Sequence, residues 1–176
     1  ECSYLLAPSF QYRYDGRAWF AKIARDIRDA QEPSGRVLTV APSYPAGHTI
    51  SRADGILVTH GHGDHFQAVE PLAKRHNAKV VSNYEIYLYL KARGVTTGSP
   101  MNKGGTQQVG PLGVTMTQAL HSSGIEDGSG NVVYAGEPGG YVLHLPDGRR
   151  AYFAGDTAVF GDMALIAELY SPELCF

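Results

Sequence analysis

Three histidines and an aspartate fall within six residues in the run His60-Gly61-His62-Gly63-Asp64-His65. Core packing does not call for such a density, because imidazole is polar and must find hydrogen-bond partners when buried. Imidazole nitrogens and a carboxylate oxygen are instead the ligands that suit Zn²⁺, Mn²⁺ or Fe²⁺. The intervening Gly61 and Gly63 are expected to let the backbone bend so that the four side chains converge. A lone His-x-His would read more simply as part of a polar surface loop. The full run reads as a metal site because a buried strand leads straight into it.

That strand is Ile56-Leu57-Val58-Thr59, a short apolar, β-rich stretch of the kind covered on both faces. It delivers the histidines to the end of a strand, where open α/β sheets build their sites. After the cluster the pattern predicts a helix over 68–76, a strand over 78–82, and a helix over 84–93 closed by Gly94. This alternation implies a sheet covered by helices. Upstream, Phe20, Ile23, Ile27 and Ala30 recur at helical spacing within 17–31, followed by a short strand over 36–40 and a loop over 41–49. From residue 95 the character changes. Short strands over 114–120, 132–134, 141–145 and 151–154 are separated by glycine-rich turns, so the second half reads as mostly antiparallel sheet. A last helix is expected over 162–170, and the final Glu173-Leu174-Cys175-Phe176 reads as the opening of a further strand.

Two more candidates stand at strand ends. His121 follows the strand 114–120, and Asp156 follows the strand 151–154 in a Gly-Asp-Thr turn. Alone, His121 would read as a hydrogen-bonded core histidine and Asp156 as a turn or helix-capping residue. In the company of the first run both are read as ligands. His48, His76 and His144 have no such placement and read as surface or structural residues. Ser122, Ser123 and Thr157 lie beside candidate ligands and can brace them by hydrogen bonds, with low priority. Gly136–Gly140 reads as a segment that turns the chain.

Two divalent ions about 3.5–4 Å apart lower the pKa of a shared water toward neutrality and stabilise a developing oxyanion. No Ser-His-Asp or Cys-His arrangement offers a rival nucleophile. A metal-bound hydroxide acting on an ester, lactone or phosphoester is therefore the expected chemistry, with Asp64 or Asp156 orienting it and accepting a proton.

Composition narrows the remaining classes. The 176 residues suit one domain over 1–176. With 43% hydrophobic and 18% charged residues and a net charge of −2, the chain has the profile of a globular protein acting on a small-molecule substrate. No basic run marks a nucleic-acid footprint, so a nucleic-acid processing enzyme is disfavoured. No apolar run approaches the roughly 20 residues needed to span a bilayer. Cys2 and Cys175, at opposite ends, form no metal-spaced pair, and a cytoplasmic location is expected.

The stretch Leu57-Val58-Thr59-His60-Gly61-His62-Gly63-Asp64-His65 resembles the signature of the metallo-β-lactamase superfamily. The resemblance continues through Ala119-Leu120-His121-Ser122-Ser123, through 134–140, and through 153–163. Together these stretches resemble the branch of metal-dependent hydrolases related to ascorbate-phosphate lactonases. The resemblance runs from about residue 54 to 176, and 1–53 match less well. It implies an αββα sandwich with a one- or two-metal site holding Zn²⁺, with Mn²⁺ as the alternative. By the same resemblance His60, His62 and His121 hold one metal, Asp64 and His65 the second, and Asp156 bridges both.

The family supplies one more histidine from a later strand, so the sandwich is expected to be incomplete at its C-terminus. Ala41 stands where the family carries a bracing aspartate. A metal-binding chain of little activity is therefore the alternative reading. An incomplete sandwich would also expose apolar surface and favour a homo-oligomer.

Overall fold

The computed structural model describes residues 52–176 and the strand Leu38–Val40. The apolar lead-in to the histidines forms β2 (Gly55–Leu57), between β1 (Leu38–Val40) and β3 (Lys79–Ser82), with β4 (Gly98–Pro100) beyond. All three pairings in this sheet are parallel. Its crossovers carry α1 (Gly63–Phe66) and α2 (Val69–His76) between β2 and β3, and α3 (Tyr84–Ala92) between β3 and β4. A second sheet is ordered β11 (Leu174–Cys175), β10 (Arg150–Phe153), β9 (Gly139–His144), β6 (Leu112–Gln118), β5 (Thr106–Val109). It is antiparallel except where β11 joins β10. A hairpin of β7 (Gly124–Glu126) and β8 (Val132–Tyr134) stands apart, and α4 (Met163–Tyr170) follows β10.

The two-residue period of a strand decides the layers. In β2 and its extension, Ile56 and Val58 join Val80, Phe66, Val69, Leu72, Ile86 and Leu90 in a core under α1 to α3. Leu57 and Val81 point the other way, into a core shared with Val114, Met116, Tyr141, Leu143 and Phe153 of the second sheet. Val142 and Tyr152 face outward again and meet Ile166 of α4. Helix, sheet, sheet and helix are thus stacked in the αββα order that the family resemblance implied. Each fully buried Leu, Ile or Val contributes roughly 1.5–3 kcal/mol against exposure.

Where expectations and structure differ, the reason is local. β4 and β5 were not anticipated: Gly98-Ser99-Pro100 and Thr106-Gln107-Gln108-Val109 carry little apolar alternation. Both are edge strands, which need one partner and tolerate polar residues and proline. The predicted close of α3 is present in detail. Gly94 has φ +86°, its N–H donates to the Lys91 carbonyl, and the Val95 N–H reaches back to Leu90, the pairing of a Schellman motif. The readings over 17–31 and 41–49, and those at Cys2, Ala41 and His48, lie outside the described residues. Among the described residues no helix is long and apolar enough to cross a membrane. α4 leaves Leu165 and Leu169 exposed, and Val159 stands exposed just before it.

One polar contact ties the two sheets at the level of the site. The Tyr141 hydroxyl, on a fully buried side chain of β9, donates to the Val58 carbonyl at 2.7 Å. Burial raises its pKa, so it stays protonated and keeps donating. Replacing it (Tyr141→Phe) strands that carbonyl in the core. The expected cost is about 1–3 kcal/mol, read as a lower denaturant midpoint at unchanged m-value.

Candidate metal centre

Beyond β2 the chain runs extended through Val58 and Thr59, and His60 emerges at the sheet's end with no exposed surface. His62, extended at φ −64° and ψ 146°, stands at the N-terminus of α1. His65 lies on the inner side of that single turn and is buried. His121 arrives from the end of β6 and Asp156 from the end of β10. Strands from both sheets therefore deliver side chains to one rim of the sandwich.

The nitrogens converge. His60 Nε2 lies 3.1 Å from His62 Nδ1, and His121 Nε2 lies 3.2 Å from the same atom. Two ligands at about 2.0–2.1 Å on a tetrahedral ion stand about 3.3 Å apart, so this spacing suits a shared cation. The outer nitrogens give a second indication. His60 Nδ1 has the Thr59 hydroxyl at 3.0 Å and His62 Nε2 has the Ser122 hydroxyl at 3.0 Å. Tautomers that donate to those hydroxyls turn the inner lone pairs toward one another, an arrangement that a cation between them relieves. Burial, reinforced by the neighbouring His65, His62 and His121, lowers the His60 pKa from 6.5 to about 3. Its imidazole is consequently neutral, the form that binds metals.

A second grouping shares His60 and adds His65 and Asp156. Asp156 Oδ2 lies 3.3 Å from His65 Nε2 and 4.0 Å from His121 Nε2, so one carboxylate oxygen faces both groupings. His65 is 3% exposed, yet neither of its ring nitrogens has a hydrogen-bond partner. A buried imidazole without partners is costly, and a metal ion is what these donors fit. Asp64 sits apart from both groupings and is 70% exposed, with Oδ2 at 3.5 Å from His65 Nε2. All six candidates are thus at one place, five of them within the two groupings.

The glycines act differently from the expectation. Neither Gly61 nor Gly63 has a positive φ. Gly61 is needed for space: a Cβ there would lie 2.7 Å from Ile125 Cγ1 and 3.0 Å from Ala135 Cβ. The backbone of the first motif is packed directly against the β7–β8 hairpin.

The small hydroxyl residues do more than their low priority implied. Ser123 Oγ accepts from the Gly61 N–H at 3.1 Å and donates to the Ala135 carbonyl at 3.2 Å. Thr157 Oγ1 accepts from the Leu120 N–H at 2.8 Å, while the Ala158 N–H donates to the Leu120 carbonyl, lacing the His121 and Asp156 segments together. Thr59 and Asn83 were not singled out. Asn83 caps α3 by accepting from Ile86 N–H and donates to the Ala135 and Glu137 carbonyls at 2.7 and 3.0 Å. An Asn ahead of a helix signals the cap; no local signal reveals its partners 52 and 54 residues away.

Gly136, at φ +71°, turns the chain as expected, and 136–138 also line a pocket that includes His121. His144 is structural, its Nε2 2.8 Å from the Thr115 hydroxyl and its ring against Tyr170. His76, half-buried at the end of α2, lies outside both metal groupings.

Comparison with known proteins agrees with this geometry. Residues 30–176 match the model of the Beta-lactamase superfamily domain. A UPF0173 metal-dependent hydrolase from Solibacter usitatus is 52% identical over 150 residues, 82% of this chain and 65% of the relative. One from Archaeoglobus fulgidus is 44% identical over 137 residues, 78% of this chain and 58% of its own length. The chain thus spans between half and two thirds of the curated relatives it matches. Among solved structures, Igni18, a metallo hydrolase from Ignicoccus hospitalis, is 34% identical, with a TM-score of 0.59 over 70% of this chain and 50% of that one. A family model covering most of the chain, relatives near half identity and the αββα layering together place the chain in the metallo-β-lactamase superfamily.

Proposed function

We propose that this chain carries the metal centre of a hydrolase that cleaves an ester, lactone or phosphoester bond in a small molecule. The observation that carries the reading is the meeting of His60, His62 and His121, with His65 and Asp156 alongside, at the rim where both sheets end. Names given to the relatives, metal-dependent hydrolase and metallo hydrolase, support the same class. His60 Nε2, His62 Nδ1 and His121 Nε2 would hold one ion. His65 and Asp64 would hold a second, with Asp156 shared. The nitrogen-rich first set favours zinc, and the added carboxylates leave manganese as an alternative at the second.

Such ions, when bound, acidify a water and stabilise an oxyanion. The chain's own residues supply the rest. The Thr59 and Ser122 hydroxyls would hold the rings of His60 and His62 in orientation, and Asp64 or Asp156 would accept a proton, Asp64 being the more exposed of the two.

Metal analysis joined to a substrate panel tests the reading. Purified protein is expected to hold at least about one equivalent of zinc or manganese, and to turn over a lactone, an aryl ester or a phosphodiester. Chelation should abolish that turnover and re-addition restore it. Activity that persists in metal-free protein would sink the reading.

A further inference from the structure

Asn83 stands between β3 and α3 and is 5% exposed. Its amide is fully engaged. Oδ1 accepts from the Ile86 N–H at 2.9 Å, and Nδ2 donates to two carbonyls, Ala135 at 2.7 Å and Glu137 at 3.0 Å. One N–H donor on one side and two carbonyls on the other admit a single orientation of that amide. Capping the helix uses the oxygen alone, a task that Ser or Asp performs as well. The nitrogen answers a different need.

That need lies at His60. The Ala135 carbonyl also takes the Ser123 hydroxyl at 3.2 Å, and Ser123 Oγ in turn accepts from the Gly61 N–H at 3.1 Å. Two residues past Glu137, the Gly139 N–H donates to the Thr59 carbonyl at 2.9 Å. Thr59 and Gly61 are the residues on either side of His60. One amide thus anchors two arms, through Ala135 to the residue after the ligand and through 137–139 to the residue before it. Ala135 and Ser123 are buried, so a broken link leaves polar groups with no water to replace it.

The chain is fitted closely around this amide. Gly136, between the two carbonyls, has φ +71°, and a Cβ there would lie 2.7 Å from Asn83 Nδ2 and 2.5 Å from Glu85 Oε2. The absent side chain and the left-handed turn together let the carbonyls on both sides of Gly136 reach the same nitrogen.

We infer that Asn83 is a positioning residue of the metal centre: its side-chain nitrogen clamps the backbone on both sides of His60 and so fixes where the His60 and His62 nitrogens meet. The inference rests on the metal-centre reading and extends it to a residue that touches no ligand.

Asn83→Ser keeps a capping oxygen and removes the nitrogen. Its zinc affinity, read by competition with a chromophoric chelator, is expected to fall about tenfold to a hundredfold. In the metal-free protein, hydrogen exchange at the Gly61 amide should accelerate at least about tenfold, while the Val58 amide, bonded to the Val81 carbonyl, stays within about twofold. Ile86→Val trims a fully buried side chain of the same helix and spares the clamp, so it should lower the denaturant midpoint and leave zinc affinity within about twofold of wild type. Should Asn83→Ser fail to fold, Gly136→Ala presses the same contact apart with the cap in place, and the same losses are expected. Unchanged zinc affinity in the clamp variant, exchange at Gly61 and Val58 rising together, or an equal loss of affinity in Ile86→Val would each overturn the inference. Failure of the metal-centre reading shows in the wild type itself, as no zinc bound, and takes the inference with it. Failure of the clamp shows only between variants. No readout needs turnover, so a protein that holds zinc through this clamp yet hydrolyses nothing upholds the inference and removes the hydrolase reading.

Discussion

The double variant His60→Ala, His62→Ala is expected to lose its bound metal and at least about a thousandfold in turnover. Both side chains present nitrogens to one point, 3.1 Å apart, and of the first grouping His121 Nε2 alone remains once they are gone. One imidazole on a partly exposed loop binds a divalent ion weakly, and the chemistry proposed depends on that ion. Replacing His144, which sits on the far face of the second sheet against Thr115 and Tyr170, should leave metal content at the wild-type value. Elemental analysis of the two proteins side by side reads the difference directly. Retention of metal and turnover by the double variant would remove the centre from this part of the molecule.

Asp156→Ala carries the second large effect, because its Oδ2 faces His65 at 3.3 Å and His121 at 4.0 Å. A carboxylate in that position offsets charge in both groupings and holds them at a fixed separation. Its removal leaves His65 buried and without an acidic neighbour apart from the exposed Asp64. Metal stoichiometry is expected to fall below that of the wild type, and kcat/KM to fall by about a hundredfold to ten-thousandfold. Asp156→Glu should recover less than a tenth of this activity, since the longer side chain displaces the oxygen by about the length of a C–C bond and active-site geometry tolerates little misplacement. Circular dichroism should report the same fold, because Asp156 lies beyond the end of β10 and outside the buried core. Wild-type metal content in Asp156→Ala would show that the aspartate is a turn residue after all.

Reading the chain residue by residue went furthest where chemistry and periodicity coincide. The run from His60 to His65 announced itself by composition alone, and the apolar strand ahead of it placed it at the end of a strand. The helix read over 84–93 and its glycine stop followed from spacing and backbone preference, β2 from an uninterrupted apolar run, β6 from alternation, and β3, β8, β9 and β10 from short β-rich stretches between turns. Polar edge strands such as Thr106–Val109 left no such trace, since half of their backbone partners are absent and no side chain needs to be apolar.

The order of residues therefore determined which side chains are able to ligate and which stretches must be buried, because both are properties of a residue and its near neighbours. Tertiary structure alone decided three things. It brought His121 and Asp156, 61 and 96 positions beyond His60, to its imidazole. It turned Gly61 from a point of flexibility into a point of close packing, and it set the Asn83 amide against the Ala135 and Glu137 carbonyls, 52 and 54 positions away. These depend on how two sheets pair and stack, and the energy of that stacking is summed over a core whose members are spread along the whole described chain.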